Sequence, residues 1–296
     1  MTAKNSETSL RFEETAIVEP WLKQDEQGQK DYLKSLLMLH GVVLLRNWDF
    51  NINSFSEFVE SFSVSTSIDP AREFFAKNVQ LVDSGTDKIG LHCENGNTPV
   101  LPHLVWFYCA KAALSGSQTT ICDGQRVWER LSEPTKSIFL QKRIMYKRSI
   151  SEDLWTKYIR HHFSNFHSDQ VITETILKNL FANMNGVDMA LDGDRNLLFS
   201  YKVPAVNPTR FSPVLSFANS LLGPSYNYEK PAISFEDGTM ISSHLLEEFQ
   251  EVSENLTVNV DWQDGDVIII DNTRMMHGRR KILDKNRKVF TSLSSI

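Results

Sequence analysis

Val267 to Ile270 is a run of four consecutive β-branched apolar residues, framed by the turn signal Gly265-Asp266 and by Asp271. A run of that length fits a buried strand and is far too short to cross a bilayer. Strand signals also fall at Val42–Leu45, Val105–Cys109, Thr119–Cys122 and Val289–Leu293. In 256–262, Leu256, Val258 and Val260 alternate with Thr257 and Asn259, the period of a strand with one buried face.

Helical spacing is confined to other stretches. Between Lys30 and Leu39 it puts Tyr32, Leu33, Leu36 and Leu37 on one face, ending at His40-Gly41. A second helix is predicted from Ser54, where Ser54 and Glu57 have capping-box spacing and Phe55, Phe58, Val59 and Phe62 form the apolar face. Residues 151–250 read as mostly helical or irregular, with Ile172, Ile176, Leu177, Leu180 and Phe181 at helical spacing. The order is therefore an α/β entry, strands, a long helical insert and more strands. That suits a mostly β sandwich or barrel with helical insertions better than a βαβ sheet. Neither a GxGxxG nor a Walker A pattern is present. The polar first ten residues are expected to be disordered, leaving 11–296 as one domain with a helical lid at about 151–250.

The chain has 296 residues, 41% hydrophobic and 23% charged, enough to bury a substantial core. Its net charge is 31 − 37 = −6, and its longest basic cluster is Arg279-Arg280-Lys281. Such a balance argues against a nucleic acid partner and gives no footing on an anionic membrane. Residues 1–10 contain no apolar signal core. Cys93, Cys109 and Cys122 cannot all pair with one another, so a cytoplasmic location with reduced thiols is expected. On that reading the sequon Asn255-Leu256-Thr257 is fortuitous.

The motif with chemistry is His92-Cys93-Glu94. In an extended strand residues i and i+2 point the same way, so His92 and Glu94 can converge on one metal while Cys93 turns away. His277, after the Val267–Ile270 strand, offers a third ligand. Two histidines and one carboxylate on a single face leave three positions open, which suits Fe(II) binding a bidentate 2-oxoacid and O₂. Taken alone, each histidine is more often a packed or surface residue than a ligand.

The surroundings raise those odds. The block Trp262-Gln263-Asp264-Gly265-Asp266-Val267-Ile268-Ile269-Ile270-Asp271-Asn272-Thr273-Arg274-Met275-Met276-His277-Gly278-Arg279 resembles the segment that ends in the distal iron histidine of the TauD/TfdA family of Fe(II)/2-oxoglutarate dioxygenases, in particular its clavaminate synthase-like branch. His92-Cys93-Glu94, a following strand and Gly116-Ser117-Gln118-Thr119 match in the same order, with looser matches at Gly41–Arg46 and Phe235-Glu236-Asp237-Gly238. The resemblance implies a double-stranded β-helix, or jelly roll. It also implies iron held by His92, Glu94 and His277, and 2-oxoglutarate and O₂ consumed while a small molecule is oxidised.

It implies cofactor residues too. Thr119 is the expected hydroxyl partner of 2-oxoglutarate, with Thr120 on the opposite face. Arg287 is the expected partner of the far carboxylate, since a guanidinium can pair two oxygens at once. Many relatives carry a second arginine four residues on; here that position is Thr291, which leaves Arg279, Arg280 or Lys288 as possible substitutes. Family halogenases have a small residue where Glu94 stands, so hydroxylation, desaturation or cyclisation is expected rather than halogenation. Asn272 and Arg274 read first as supports of the turn before His277. Trp106 reads as core, and His103 sits near the iron strand. His161, His162 and His167 read as lid residues, as Trp155, Tyr158 and Phe163 read as core, rather than as a metal site or pocket wall. The branch favours an amino acid derivative or specialised metabolite as substrate. The rival readings are a metal-dependent isomerase or lyase and a non-catalytic binding or scaffold barrel. Nothing in the residues names the substrate, the bond attacked or the oligomeric state.

Overall fold

A computed structural model describes residues 16–18, 25–67, 73–82, 85–163, 171–223 and 230–296; the expectations for residues 1–10 and for His167 fall outside these. Two sheets face each other. The larger has eight strands, ordered 16–18, 42–45, 267–271, 104–111, 288–295, 79–81 and 74–76, with 65–67 also paired to 288–295. The smaller has four, ordered 258–259, 119–123, 275–279 and 89–92. Between them lies an apolar layer that includes Val42, Leu44, Val105, Phe107, Ile121 and Ile268. This is the jelly roll that the sequence resemblance implies.

Alternation along the strands decides what covers each outer face. On the larger sheet Val43, Leu45, Trp106, Ile269 and Phe290 point outward under the helices Glu26–His40 and Ile52–Phe62. Trp106 is fully buried there, edge-on to Phe58 and Phe62, as its core reading required. The first helix buries Leu33 and Leu37, with Leu36 packed against the same cluster; Tyr32 stays 39% exposed. It stops at Gly41, whose φ of 72° is open to glycine without strain. The second helix begins earlier than its spacing suggested. Asn51 is its cap, and Ser54 fills the third position of a true capping box.

Two other expectations are corrected. Leu256 does not open a strand but closes the helix Ser243–Leu256, and only Val258–Asn259 pairs, with Ile121 and Thr120. The segment 151–250, expected to be mostly helical or irregular, also holds strands that this expectation left out. Its helices Glu152–His162 and Glu174–Phe181 accompany the strands Val187–Leu191, Leu197–Pro204 and Ala232–Phe235. These join Arg143–Ile150 in a four-stranded antiparallel sheet. The signal was the alternation of Leu197, Phe199, Tyr201 and Val203 with Leu198, Ser200 and Lys202, a period of two rather than 3.6. Trp155, Ile159, Leu177 and Phe181 form a satellite core beneath it, with Tyr158 and Phe163 packed alongside. No described helix is long and apolar enough to cross a membrane.

Candidate metal centre

The strand Met275–Arg279 is central to the smaller sheet, between Thr119–Asp123 and Ile89–His92. Its register sets His277 directly opposite His92 on one side and Ile121 on the other. The two imidazole rings lie 4.4 Å apart, centroid to centroid. Such an approach needs the strands to come close, and Gly278 permits it: a Cβ there would stand 2.7 Å from the Ile89 carbonyl oxygen and 2.9 Å from Thr120 Oγ1. His277 therefore sits inside a strand of its own, which the sequence reading had not assigned.

Glu94 arrives differently from expected. The strand ends at His92, and Glu94 belongs to the following turn, with Asn95 at a φ of 57°. Strand alternation alone does not aim it. Asn272 does: its Oδ1 accepts from the Glu94 amide at 2.7 Å, while its Nδ2 donates to the carbonyls of Glu94 (3.0 Å) and Pro102 (2.9 Å). The supporting role read for Asn272 is what the contacts show. Arg274 is likewise structural, forked onto Asp123 and capping the first helix through the carbonyls of Met38 and Leu39.

One donor atom each from His92, Glu94 and His277 lies within 4.8 Å of the others, and all three residues are buried. Glu94 Oε2 is 3.5 Å from His277 Nε2 and 3.9 Å from His92 Nε2. His92 Nδ1 is 2.9 Å from the Gly90 carbonyl. A carbonyl can only accept, so Nδ1 carries the proton, and in the neutral form of the ring the lone pair is then at Nε2, facing Glu94. The Phe107 ring meets His277 edge-on at 5.3 Å. Two imidazole nitrogens and a carboxylate converging from buried positions make a donor set that fits ferrous iron. Cys93 stays out of the cluster, its sulfur 3.9 Å from Ser220 Oγ and its thiol pushed up to about 12 by burial.

Thr119 stands beside Arg279, which shares the inward face with His277. Thr119 Oγ1 accepts from the Trp262 indole at 3.1 Å, leaving the hydroxyl hydrogen to donate elsewhere. Arg287 is part-buried and gives one guanidinium nitrogen to the Ser117 carbonyl at 3.1 Å, so the Gly116–Thr119 loop and the segment before the last strand hold each other. Burial, then the neighbouring Arg279 charge, push Arg287 down to about 10. Arg279 itself is 4% exposed and donates to the carbonyls of Gly85 and Asp87. A buried and a part-buried guanidinium that repel each other are an arrangement that an anion between them would relieve. Of the other cations, Arg280 pairs with Glu254 and Lys288 is exposed, both off this face. Thr120 faces outward opposite Gly278, and His103 is engaged with the backbone of Ile296.

Comparison with known proteins agrees with this geometry. The model of the taurine catabolism dioxygenase TauD, TfdA family matches residues 8–292. A clavaminate synthase-like protein of Arabidopsis thaliana is 27% identical over 303 residues, covering 94% of this chain and 88% of its own length. The dapdiamide synthesis protein DdaC of Enterobacter agglomerans is 24% identical, covering 86% and 83%. Among solved structures, PvcB, an Fe, alpha-ketoglutarate dependent oxygenase from an isonitrile synthetic pathway, superposes with a TM-score of 0.56 at 13% identity, covering 94% of this chain and 85% of that one. The chain belongs to the TauD/TfdA family of Fe(II)- and 2-oxoglutarate-dependent dioxygenases.

Proposed function

We propose that this dioxygenase hydroxylates, desaturates or cyclises an amino acid derivative or another specialised metabolite, with Fe(II) held by His92, Glu94 and His277. The observation that carries the reading is the buried convergence of those three donors, two from paired strands and one from the turn that follows. When bound, iron and 2-oxoglutarate together supply the power to oxidise a C–H bond, with succinate and CO₂ released. The rest is the work of the chain. The Asn272 clamp and the His92–Gly90 hydrogen bond fix ligand orientation before iron arrives. Thr119 and the Arg279–Arg287 pair bind the far carboxylate of 2-oxoglutarate, and Phe107 and Ile121 keep water from the reacting face. DdaC and PvcB, named for dapdiamide synthesis and an isonitrile pathway, support the metabolite class. The three buried free cysteines support a reducing, cytoplasmic setting.

The test is anaerobic Fe(II) titration followed by addition of O₂ and a panel of amino acid derivatives, reading succinate. Wild type should bind one iron and form succinate, and His277→Ala should do neither. Succinate-free conversion of a substrate would instead identify an isomerase or lyase, and iron-free binding of metabolites a scaffold. Glu94 occupies the position a halide would need, so product made in chloride buffer should contain no chlorine.

A further inference from the structure

On the inner wall of the larger sheet, where most described side chains are apolar, two buried polar side chains stand side by side. Thr291 alternates with Val289 and Leu293, which both belong to the inner layer, so it too faces inward. Its partners in register are Phe107 on one side and Gln80 on the other. Thr291 is 2% exposed and Gln80 3%. The Thr291 hydroxyl has no hydrogen-bond partner among the described residues. Ser292 is also unpartnered, but it faces the opposite way, beside Trp106.

A buried hydroxyl without a partner is a standing cost, because it gave up its hydrogen bonds to water and regained none. Valine has the same shape and would avoid that cost. The place of Thr291 indicates what the hydroxyl is for. Its cross-strand neighbour Phe107 touches the His277 ring, which sets Thr291 level with the metal ligands. The two arginines lie one layer further along: Arg279 pairs with Thr119, and Val289, two residues before Thr291, pairs with Cys109, whose thiol lies within the field of Arg287. A ligand with a carboxylate at each end, one beside the metal and one at the arginines, would have its metal end at the level of Thr291.

We infer that the Thr291 hydroxyl donates a hydrogen bond to the metal-proximal carboxylate of 2-oxoglutarate, with Gln80 completing the same wall. The inference rests on the proposed cosubstrate site. It makes Thr291 a neutral contributor to an otherwise cationic pocket, a hydroxyl whose partner is supplied only by the ligand.

The experiment measures binding without turnover. Iron-loaded wild type, Thr291→Val and Thr291→Ser are titrated anaerobically with 2-oxoglutarate, following the visible charge-transfer band and the heat of binding. Thr291→Val should bind the cosubstrate about tenfold more weakly, the loss expected for one hydrogen bond to a charged acceptor. Thr291→Ser should stay within about threefold of wild type. Fe(II) affinity should be unchanged in both, and metal-free Thr291→Val should melt at the wild-type temperature or above it. Unaltered 2-oxoglutarate affinity in a folded Thr291→Val protein overturns the inference. Loss of affinity equal in the valine and serine variants overturns it as well, because the serine retains the donor. If wild type itself binds iron but no 2-oxoglutarate, the cosubstrate reading fails first, and the wild-type titration alone reveals it.

Discussion

Asn272 holds Glu94 by main-chain contacts on both sides of the residue, so its amide geometry is what aims the carboxylate. Asn272→Ala should lower Fe(II) affinity by about 10- to 100-fold, the usual cost of losing a group that orients a metal ligand. Asn272→Asp should do no better, since a carboxylate cannot donate to the Glu94 carbonyl; metal titration checks both. The adjacent Asp271 is fully buried, and burial pushes its carboxyl up to about 6 against the hydrogen bonds from Thr273 that pull it down. An unfolded aspartate titrates near 3.9. Between those values the folded protein holds a proton the unfolded chain has lost, so the group favours folding below about pH 4 and that contribution disappears as pH rises through about 6. The difference is worth about 3 kcal/mol at neutral pH. Relative to Asp271→Asn, wild type should therefore lose stability between pH 4 and pH 7 and then level off, as read from paired denaturation midpoints. Residue identity made the three clustered donors readable, because a dense motif surrounds His277 and a spaced one marks His92 and Glu94. The inward placement of Arg279, Thr291 and Gln80 was not readable, because it depends on strand register across positions more than two hundred residues apart in the cases of Gln80 and Thr291.

At the scale of elements, the site depends on how closely two strands approach. Gly278→Ala would push a methyl group against the Ile89 carbonyl and Thr120, and backbone cannot yield as a flexible side chain does. The variant should melt lower, by an amount equivalent to about 1–3 kcal/mol, and bind iron more weakly because His92 moves away with its strand. Thermal melting and metal titration on the same preparation test that coupling. The strands nearest the centre were legible where apolar runs are long, as in Val42–Leu45 and Val267–Asp271. One was missed at Met275–Arg279, whose glycine and histidine carry no strand signature, and the strand expected through His92-Cys93-Glu94 stops at His92. Leu256 shows the reverse error. It continues an alternating pattern by side-chain type, yet the helix from Ser243 buries Leu245, Phe249 and Ser253 at a spacing of four and carries the chain through it. Asp266 is another element-level link: its carboxylate grips the Arg46 guanidinium with both oxygens, joining the early and late strands of the larger sheet.

For the whole molecule, metal binding and folding are coupled. Three buried donors that face one another gain a common partner only when a cation is present, so Fe(II) should raise the melting temperature. At free metal a hundred times the dissociation constant the gain is about 2.7 kcal/mol, several degrees for a chain of this length. His277→Ala should abolish the metal-dependent shift, as calorimetry with and without Fe(II) will show. The pairing of His277 with His92 also joins residues 185 positions apart (277 − 92). During synthesis, a chain interrupted anywhere before residue 277 holds two of the three clustered donors at most, and one cut before residue 287 also lacks the Arg287 guanidinium. Fragments that stop short of His277 would thus lack a complete donor cluster, which closes only once the strand Met275–Arg279 is made.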